Sequence, residues 1–260
     1  MRCEAVASRL PGPAGAAVEV RDLTIGRGDV TLVEGITFSV PRGEIFAILG
    51  GSGSGKSTLL RYLVGLETPM KGEIDVAGRG PPDLDAGLPP FGVMFQGGAL
   101  FGSMTVLENV TLPLEEWTDL PIADVDVIAS AKLELVGLAS AADQLPAQIS
   151  GGMTKRAAIA RALALDPPIV FFDEPGAGLD PVTALEIDNL ILTLARSSNL
   201  TVLMVTHELA SIFRIADRCL LLDRSSKRVL AIGDPRALRV SDEPRIREFF
   251  NPPSKGTERP

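Results

Sequence analysis

Apolar residues gather in short runs along the chain. Runs at Val18–Ile25, Ile36–Val40, Ile45–Leu49, Val93–Phe95, Ile169–Phe172, Thr201–Val205 and Cys219–Leu222 read as strands. Several are apolar on consecutive rather than alternate residues, the pattern of strands buried on both faces. Helical periodicity predicts helices over Lys56–Gly65, Val125–Val136, Met153–Leu165, Val182–Ser198 and Leu209–Ala216. Strand and helix in alternation imply a parallel sheet with helices on its faces, an α/β fold. The alternation fails once: from Gly97 to about Asp166 no convincing buried strand occurs, so a helical insertion over about 97–166 is expected. It belongs to a single domain over 18–240. Residues 1–17, rich in Ala, Gly and Pro, read as a loose lead-in. Residues 241–260 read as a tail with one short helix, Arg245–Phe250, and a mobile end. No repeat of solenoid length is present.

Composition narrows the picture. With 45% hydrophobic and 22% charged residues among 260, the chain can bury a sizeable core, which excludes wholesale disorder. A net charge of −8 argues against a nucleic-acid-binding surface, which needs a basic face, but leaves room for local cationic sites. Cys3 and Cys219 are the only cysteines, so a disulfide framework is not expected and a reducing compartment fits. Glu4 and the lack of an apolar run near the start argue against a secretory signal. The longest uncharged stretch, Ala86 to Leu107, is interrupted by prolines, glycines and Gln96 and does not suit a membrane span. A soluble or peripheral protein is expected.

The chemistry begins where Ile45–Leu49 runs into Gly50, Gly51, Ser52, Gly53, Ser54, Gly55, Lys56, Ser57 and Thr58, and then into an apolar-periodic helix. This is the Gly-x4-Gly-Lys-Ser/Thr pattern in its required strand–loop–helix setting. Glycines let the backbone turn successive N–H groups toward phosphate oxygens. Lys56 brings a point charge to the β- and γ-phosphates, and the Ser57 hydroxyl can ligate Mg²⁺. A nucleotide triphosphate with Mg²⁺ is therefore the expected ligand.

Ile169–Phe172 runs into Asp173, Glu174 and Pro175. In open α/β sheets ligands bind beyond the carboxyl ends of strands. Next to a phosphate group a carboxylate needs a cation, so Asp173 reads as a Mg²⁺ partner through water. Glu174 reads as the group that orients and deprotonates the attacking water. A second anomaly lies at Ser150–Arg156. Ser150 is a good helix N-cap, yet two glycines and two cations, Lys155 and Arg156, occupy the first turns that follow. An anion held at this helix start would resolve both conflicts.

Phosphate loop, Gln96, Ser150-Gly151-Gly152, Asp173-Glu174 and His207, in that order, resemble the ATP-binding-cassette (ABC) ATPases over about Val18 to Gly233. The resemblance implies a P-loop NTPase with a parallel-sheet core, N-terminal antiparallel strands and a helical subdomain. It implies a head-to-tail dimer of two copies, with Ser150, Gly151 and Gly152 of one gripping the γ-phosphate held by the other. Gln96 then touches Mg²⁺ and the attacking water, Asp180 lies in the loop that crosses the dimer interface, and His207 contacts the γ-phosphate.

Two features depart from the common pattern. Met153 stands where Gln is usual after the Ser-Gly-Gly, and Arg27 stands where most members stack an aromatic ring on adenine. With Phe95–Phe101 and Ser150–Ala164, they resemble the ATPases of the MCE-type lipid transporters, which include the system that maintains outer-membrane lipid asymmetry. That resemblance implies an integral membrane permease and a periplasmic MCE-domain lipid-binding protein as partners, phospholipid as cargo, and a place on the cytoplasmic face of the inner membrane. A small-solute importer remains the alternative. A third class, acting on nucleic acid or ribosomes, usually carries two cassettes or a long coiled coil, and neither is visible. If Arg27 replaces the aromatic platform, GTP should compete with ATP within about tenfold, since one base-stacking contact is worth roughly 1–3 kcal/mol. Competition binding with labelled ATP checks this, and a strong preference for ATP would overturn it.

Overall fold

The computed structural model describes residues 15–252 apart from Asp29 and the side chain of Arg27. The expected lead-in over residues 1–14 and the expected mobile end over 253–260 lie outside the described residues. The strands are β1 (Val18–Arg27), β2 (Val30–Val40), β3 (Ile45–Gly50), β4 (Lys71–Val76), β5 (Phe91–Met94), β6 (Ile169–Asp173), β7 (Thr201–Val205), β8 (Arg218–Asp223) and β9 (Arg228–Gly233). The helices are α1 (Lys56–Leu63), α2 (Val106–Trp117), α3 (Ile122–Leu135), α4 (Gly151–Ala162), α5 (Pro181–Ser198), α6 (Leu209–Ile215), α7 (Pro235–Leu238) and α8 (Pro244–Phe250).

A six-stranded sheet in the order β5-β6-β7-β3-β8-β9 forms the core, parallel throughout except for β9, which runs antiparallel to β8. A second, antiparallel sheet in the order β2-β1-β4 packs against it. The consecutive apolar runs have a direct cause in this arrangement. Along β3, Ile45, Ala47 and Leu49 enter a core shared with helices α2 to α6, while Phe46 and Ile48 enter a second core under α1 and the antiparallel sheet. Phe38 of β2 stacks on Phe46 at 5.3 Å between ring centroids and so ties the two sheets together.

The sequence pattern misses two strands. Both lie at sheet edges, and β4 (Lys71–Val76) buries only Ile74 and Val76 of its six residues. β9 has no fully buried residue. Half-covered edge strands lack the uninterrupted apolar run by which the central ones are recognised. β2 also reaches back to Val30, six residues before the run that predicts it, because it pairs with β1 from Val40 down to Val30.

Between β5 and β6 the chain forms the helical subdomain of α2, α3 and α4. Thr105 and Glu108 make a reciprocal capping box at the start of α2. Asn109, fully buried, bonds Phe101, Met104 and Thr105 through its side chain and so fixes the loop before α2. Beyond β9, α8 is anchored by Ile246 and Phe250, and Phe250 meets Phe213 of α6 at 6.0 Å.

Helix α4 lies very close to β5. A Cβ added at Gly92 would come within 1.8 Å of the Ala162 carbonyl oxygen, so only glycine permits this approach. Gly92→Ala should destabilise the fold by about 1–3 kcal/mol, the range for overpacking. Urea unfolding checks it, and an unchanged midpoint would mean that α4 yields without cost.

Candidate active site

Four strand ends place the functional groups side by side. β3 gives way at Gly50 to the glycine-rich loop, where Gly53 and Gly55 have φ of +73° and +97°. Gly55 stands at the cap of α1 and offers no side chain, so the first N–H groups of that helix face the loop uncapped. Lys56 Nζ donates to the carbonyls of Gly50 and Gly51 at 2.9 and 3.1 Å. Burial pushes its ammonium below the ordinary lysine value, and the charges of Glu174 and Asp173 oppose that shift.

β6 is buried along all five residues and ends at Asp173. Ser57 Oγ donates to Asp173 Oδ1 at 3.3 Å, across 116 positions of sequence. Burial pushes the Asp173 carboxyl up and the Ser57 bond pulls it down, while the neighbouring charge of Glu174 adds to the rise. Glu174 is buried as well and has φ of +52°, a left-handed conformation that a non-glycine residue adopts only under constraint. Its N–H donates to the Val205 carbonyl at 2.8 Å. With the proton on Nδ1, the His207 ring donates to Glu174 Oε1 at 2.8 Å. Glu174 Oε2 is buried and has no hydrogen-bond partner.

The strand order explains the meeting. β7 lies between β6 and β3, so His207, two residues past Val205, falls between the carboxylates and the phosphate loop. β5 pairs with β6 through Met94 and Phe172, which brings Gln96 level with Glu174 at the same sheet edge. The loop that carries Gln96 is held by Arg161 of α4, whose guanidinium donates to the Gly98 and Ala99 carbonyls at 2.8 and 2.9 Å. A cavity of about 640 Å³ opens at this edge, lined by Gly50, Gly51, Ser52, Lys56, Glu174 and His207. Ser54 and Thr58 belong to the same loop and helix start, Ser54 buried and Thr58 half-buried.

The donor set suits a triphosphate with its magnesium. An ammonium and uncapped helix N–H groups face it, a hydroxyl–carboxylate pair stands ready for a hard cation, and a buried carboxylate oxygen lacks a partner. Ser57 and Asp173, with Gln96 beside them, would hold Mg²⁺, which when bound neutralises phosphate charge.

Ser150, Gly151, Gly152 and Asp180 do not line this cavity in their own chain. Ser150 caps α4 by accepting from Met153 N–H at 3.3 Å. The helix begins at Gly151, two residues earlier than its periodicity predicts, so both glycines lie inside the first turn. The cations there need a corrected reading, because each has a partner within the chain. Arg156 pairs with Glu186 at 2.6 Å, and the buried Lys155 donates to the Glu174 carbonyl at 3.1 Å. Gly152 is explained by packing: a Cβ there would sit 2.5 Å from Thr183 Cγ2 on α5. An anion is therefore not needed to account for the composition, although Ser150 and Gly151 remain exposed at the helix start. Asp180 caps α5, accepting from the N–H groups of Val182 and Thr183 and from the Thr183 hydroxyl. These bonds hold its carboxyl below the usual carboxylate value. The side chain of Arg27 lies outside the described residues.

Sequence reasoning missed two contributions. Glu248, Phe249 and Pro252 also line the cavity, on a segment that read as a tail with one short helix and no part in the site. The adjacent aromatics Phe249 and Phe250 were the available signal, since such a pair seldom stays in solvent. The second is Lys155, visible in the sequence only as a charge in an unfavourable place.

The ABC transporter family model matches residues 33–177, more than half of the chain. The chain belongs to the ABC transporter family. It is the ATP-binding, ATP-hydrolysing subunit of an ABC transporter. The cassette is 40% identical over 244 residues to a probable ribonucleotide transport ATP-binding protein, mkl, of Mycobacterium leprae, covering 92% of this chain and 70% of that protein. It is 39% identical over 239 residues to the intermembrane phospholipid transport system ATP-binding protein MlaF of Escherichia coli K12, covering 90% of this chain and 88% of that protein. Among solved structures, a dimeric ATP-binding cassette bound to ADP and Pi superposes with a TM-score of 0.75 at 30% identity, covering 84% of this chain and 98% of the other. Members of the family thus assemble as cassette dimers within transporter complexes. No helix among the described residues is long and apolar enough to cross a membrane.

Proposed function

We propose that this cassette energises a phospholipid transporter at the cytoplasmic face of the inner membrane, docked on an integral permease with a periplasmic MCE-domain protein beyond it. The observation that carries the reading is its similarity to MlaF over nearly the full length of both chains. Met153 after the Ser-Gly-Gly and Arg27 in place of an aromatic support it. The similarity to mkl favours a second reading, an importer of ribonucleotides or other small solutes.

In the proposed mechanism Lys56 and the loop N–H groups bind the β- and γ-phosphates, so binding precedes and does not need Glu174. Glu174 orients the attacking water through its unpartnered Oε2 and takes its proton, while His207 holds Oε1. Buried beside Asp173, Glu174 is positioned by backbone and ring contacts rather than by its own flexibility. Closure of two copies brings Ser150, Gly151 and Gly152 of the partner onto the γ-phosphate, which fits the exposure of Ser150 and Gly151 and their place away from their own cavity. Gln96 reports the γ-phosphate to the helical subdomain.

Transmission to the permease requires a docking surface. A groove of about 570 Å³ lies between the core and α2, lined by Leu66, Leu84, Phe101, Leu112 and Trp117. Phe101, five residues beyond Gln96, lines it and is 53% exposed. Leu100 packs against the core instead, and Met104 is half-buried outside the groove. The proposed occupant is a short amphipathic permease helix, laid with its apolar face in the groove.

Glu174→Gln should keep nucleotide binding and lower steady-state hydrolysis by at least about a hundredfold, the lower end of the range for losing a general base. Lys56→Ala should weaken nucleotide binding itself. Equilibrium binding and phosphate release measured side by side check both, and near wild-type turnover by Glu174→Gln would refute the role. For cargo and docking, affinity capture from detergent-solubilised membranes should recover a permease with bound phospholipid, and Phe101→Glu should lose that permease while the isolated protein still binds ATP. Recovery of a soluble binding protein in place of lipid would favour the importer, and an undiminished yield with Phe101→Glu would remove the groove assignment.

A further inference from the structure

Lys155 is buried to 6% exposure in the first half of α4, and hydrolysis as described above does not use it. Its ammonium donates to the carbonyl of Glu174 at 3.1 Å. That carbonyl belongs to the residue held at φ +52°. A peptide in the left-handed region with a bulky side chain persists only when its surroundings over-determine it. Three bonds do so here: Glu174 N–H to the Val205 carbonyl at 2.8 Å, and, onto the Glu174 carbonyl, Ala177 N–H at 3.2 Å and the Lys155 ammonium at 3.1 Å. Burial pushes the Lys155 ammonium below the ordinary lysine value, and the charges of Glu174 and Asp173 oppose that shift without cancelling it.

The geometry points to Lys155 as a positioning residue for Glu174: its bond to the Glu174 carbonyl fixes the peptide whose rotation would swing the carboxylate away from the attacking water. The inference rests on the role of Glu174 given above. Its consequence is specific to the dimer. α4 starts at Ser150, the edge offered to the partner's nucleotide, and five residues later grips the water-activating residue of its own chain. One helix thus joins the two composite sites.

Lys155→Met keeps the length and apolar stem but removes the donor, whereas Lys155→Arg keeps a donor and the charge. Lys155→Met should lower kcat for ATP hydrolysis on the order of tenfold to a hundredfold, as expected for a misplaced reacting group. The KM for ATP and the binding constant of a non-hydrolysable analogue should stay within about twofold, because Lys155 is not in the phosphate cavity. Lys155→Arg should recover part of the lost kcat. In a Glu174→Gln background, adding Lys155→Met should produce no further loss, since the residue being positioned is already disabled. An unchanged kcat, an equal loss of analogue binding, or a fully additive loss in the double variant would overturn the proposal. If Lys155→Met does not fold, Lys155→Gln draws the donor back from the carbonyl and removes its charge, and the same fall in kcat at unchanged analogue binding is expected. Glu174→Gln that remains active would instead bring down the role of Glu174 and leave the bond from Lys155 as packing.

Discussion

Two adjacent carboxylates at the end of a strand buried on every residue are the constraint around which this molecule is arranged. Asp173 and Glu174 repel each other, and burial raises the cost of their charge. The fold answers with five residues from three separate parts of the chain. Ser57 and Lys56 approach from the phosphate loop, Val205 and His207 from the neighbouring strand, and Lys155 from the helical subdomain. Of the pair's oxygens, Glu174 Oε2 is left buried without a hydrogen-bond partner. The parallel order β6-β7-β3 is what makes this convergence possible, since it lines up three carboxyl-terminal strand ends within one edge.

The central sheet was legible because its strands are apolar residue after residue, and β7 coincides with its predicted limits, Thr201–Val205. Motif chemistry was legible for a similar reason: a glycine-rich loop and a pair of acids leave residue types that few other roles require. Edge strands β4 and β9 were not, because half their side chains face solvent and no local pattern separates them from loops. Lys155 and Arg156 were visible, but their partners were not. As charges near a helix start they suggested an anion, whereas their partners, the Glu174 carbonyl and Glu186, lie 19 and 30 positions away in sequence. Long-range pairing of this kind has no local signature. Capping, which does, was read correctly at Ser150.

Cargo is a different kind of information. The phosphate cavity is built from groups that any ATP-driven member of this family needs, so it carries no imprint of what is transported. Discrimination between lipid and small solute must be sought where the cassette meets its permease. Under the docking proposed above, that place is the apolar groove that exposes Phe101 and Trp117.

Helix α4 holds both strand-end loops at once. Lys155 grips the Glu174 carbonyl, and six residues later Arg161 grips the carbonyls of Gly98 and Ala99, just past Gln96. Six residues of helix span about 9 Å, with side-chain directions set by a fixed turn. The separation between the Gln96 loop and the Glu174 peptide is therefore a dimension of one rigid helix as well as of the sheet edge. The helix works as a gauge block between the Gln96 loop and the Glu174 peptide, and the Gly92 contact beneath it leaves that block no room to tilt.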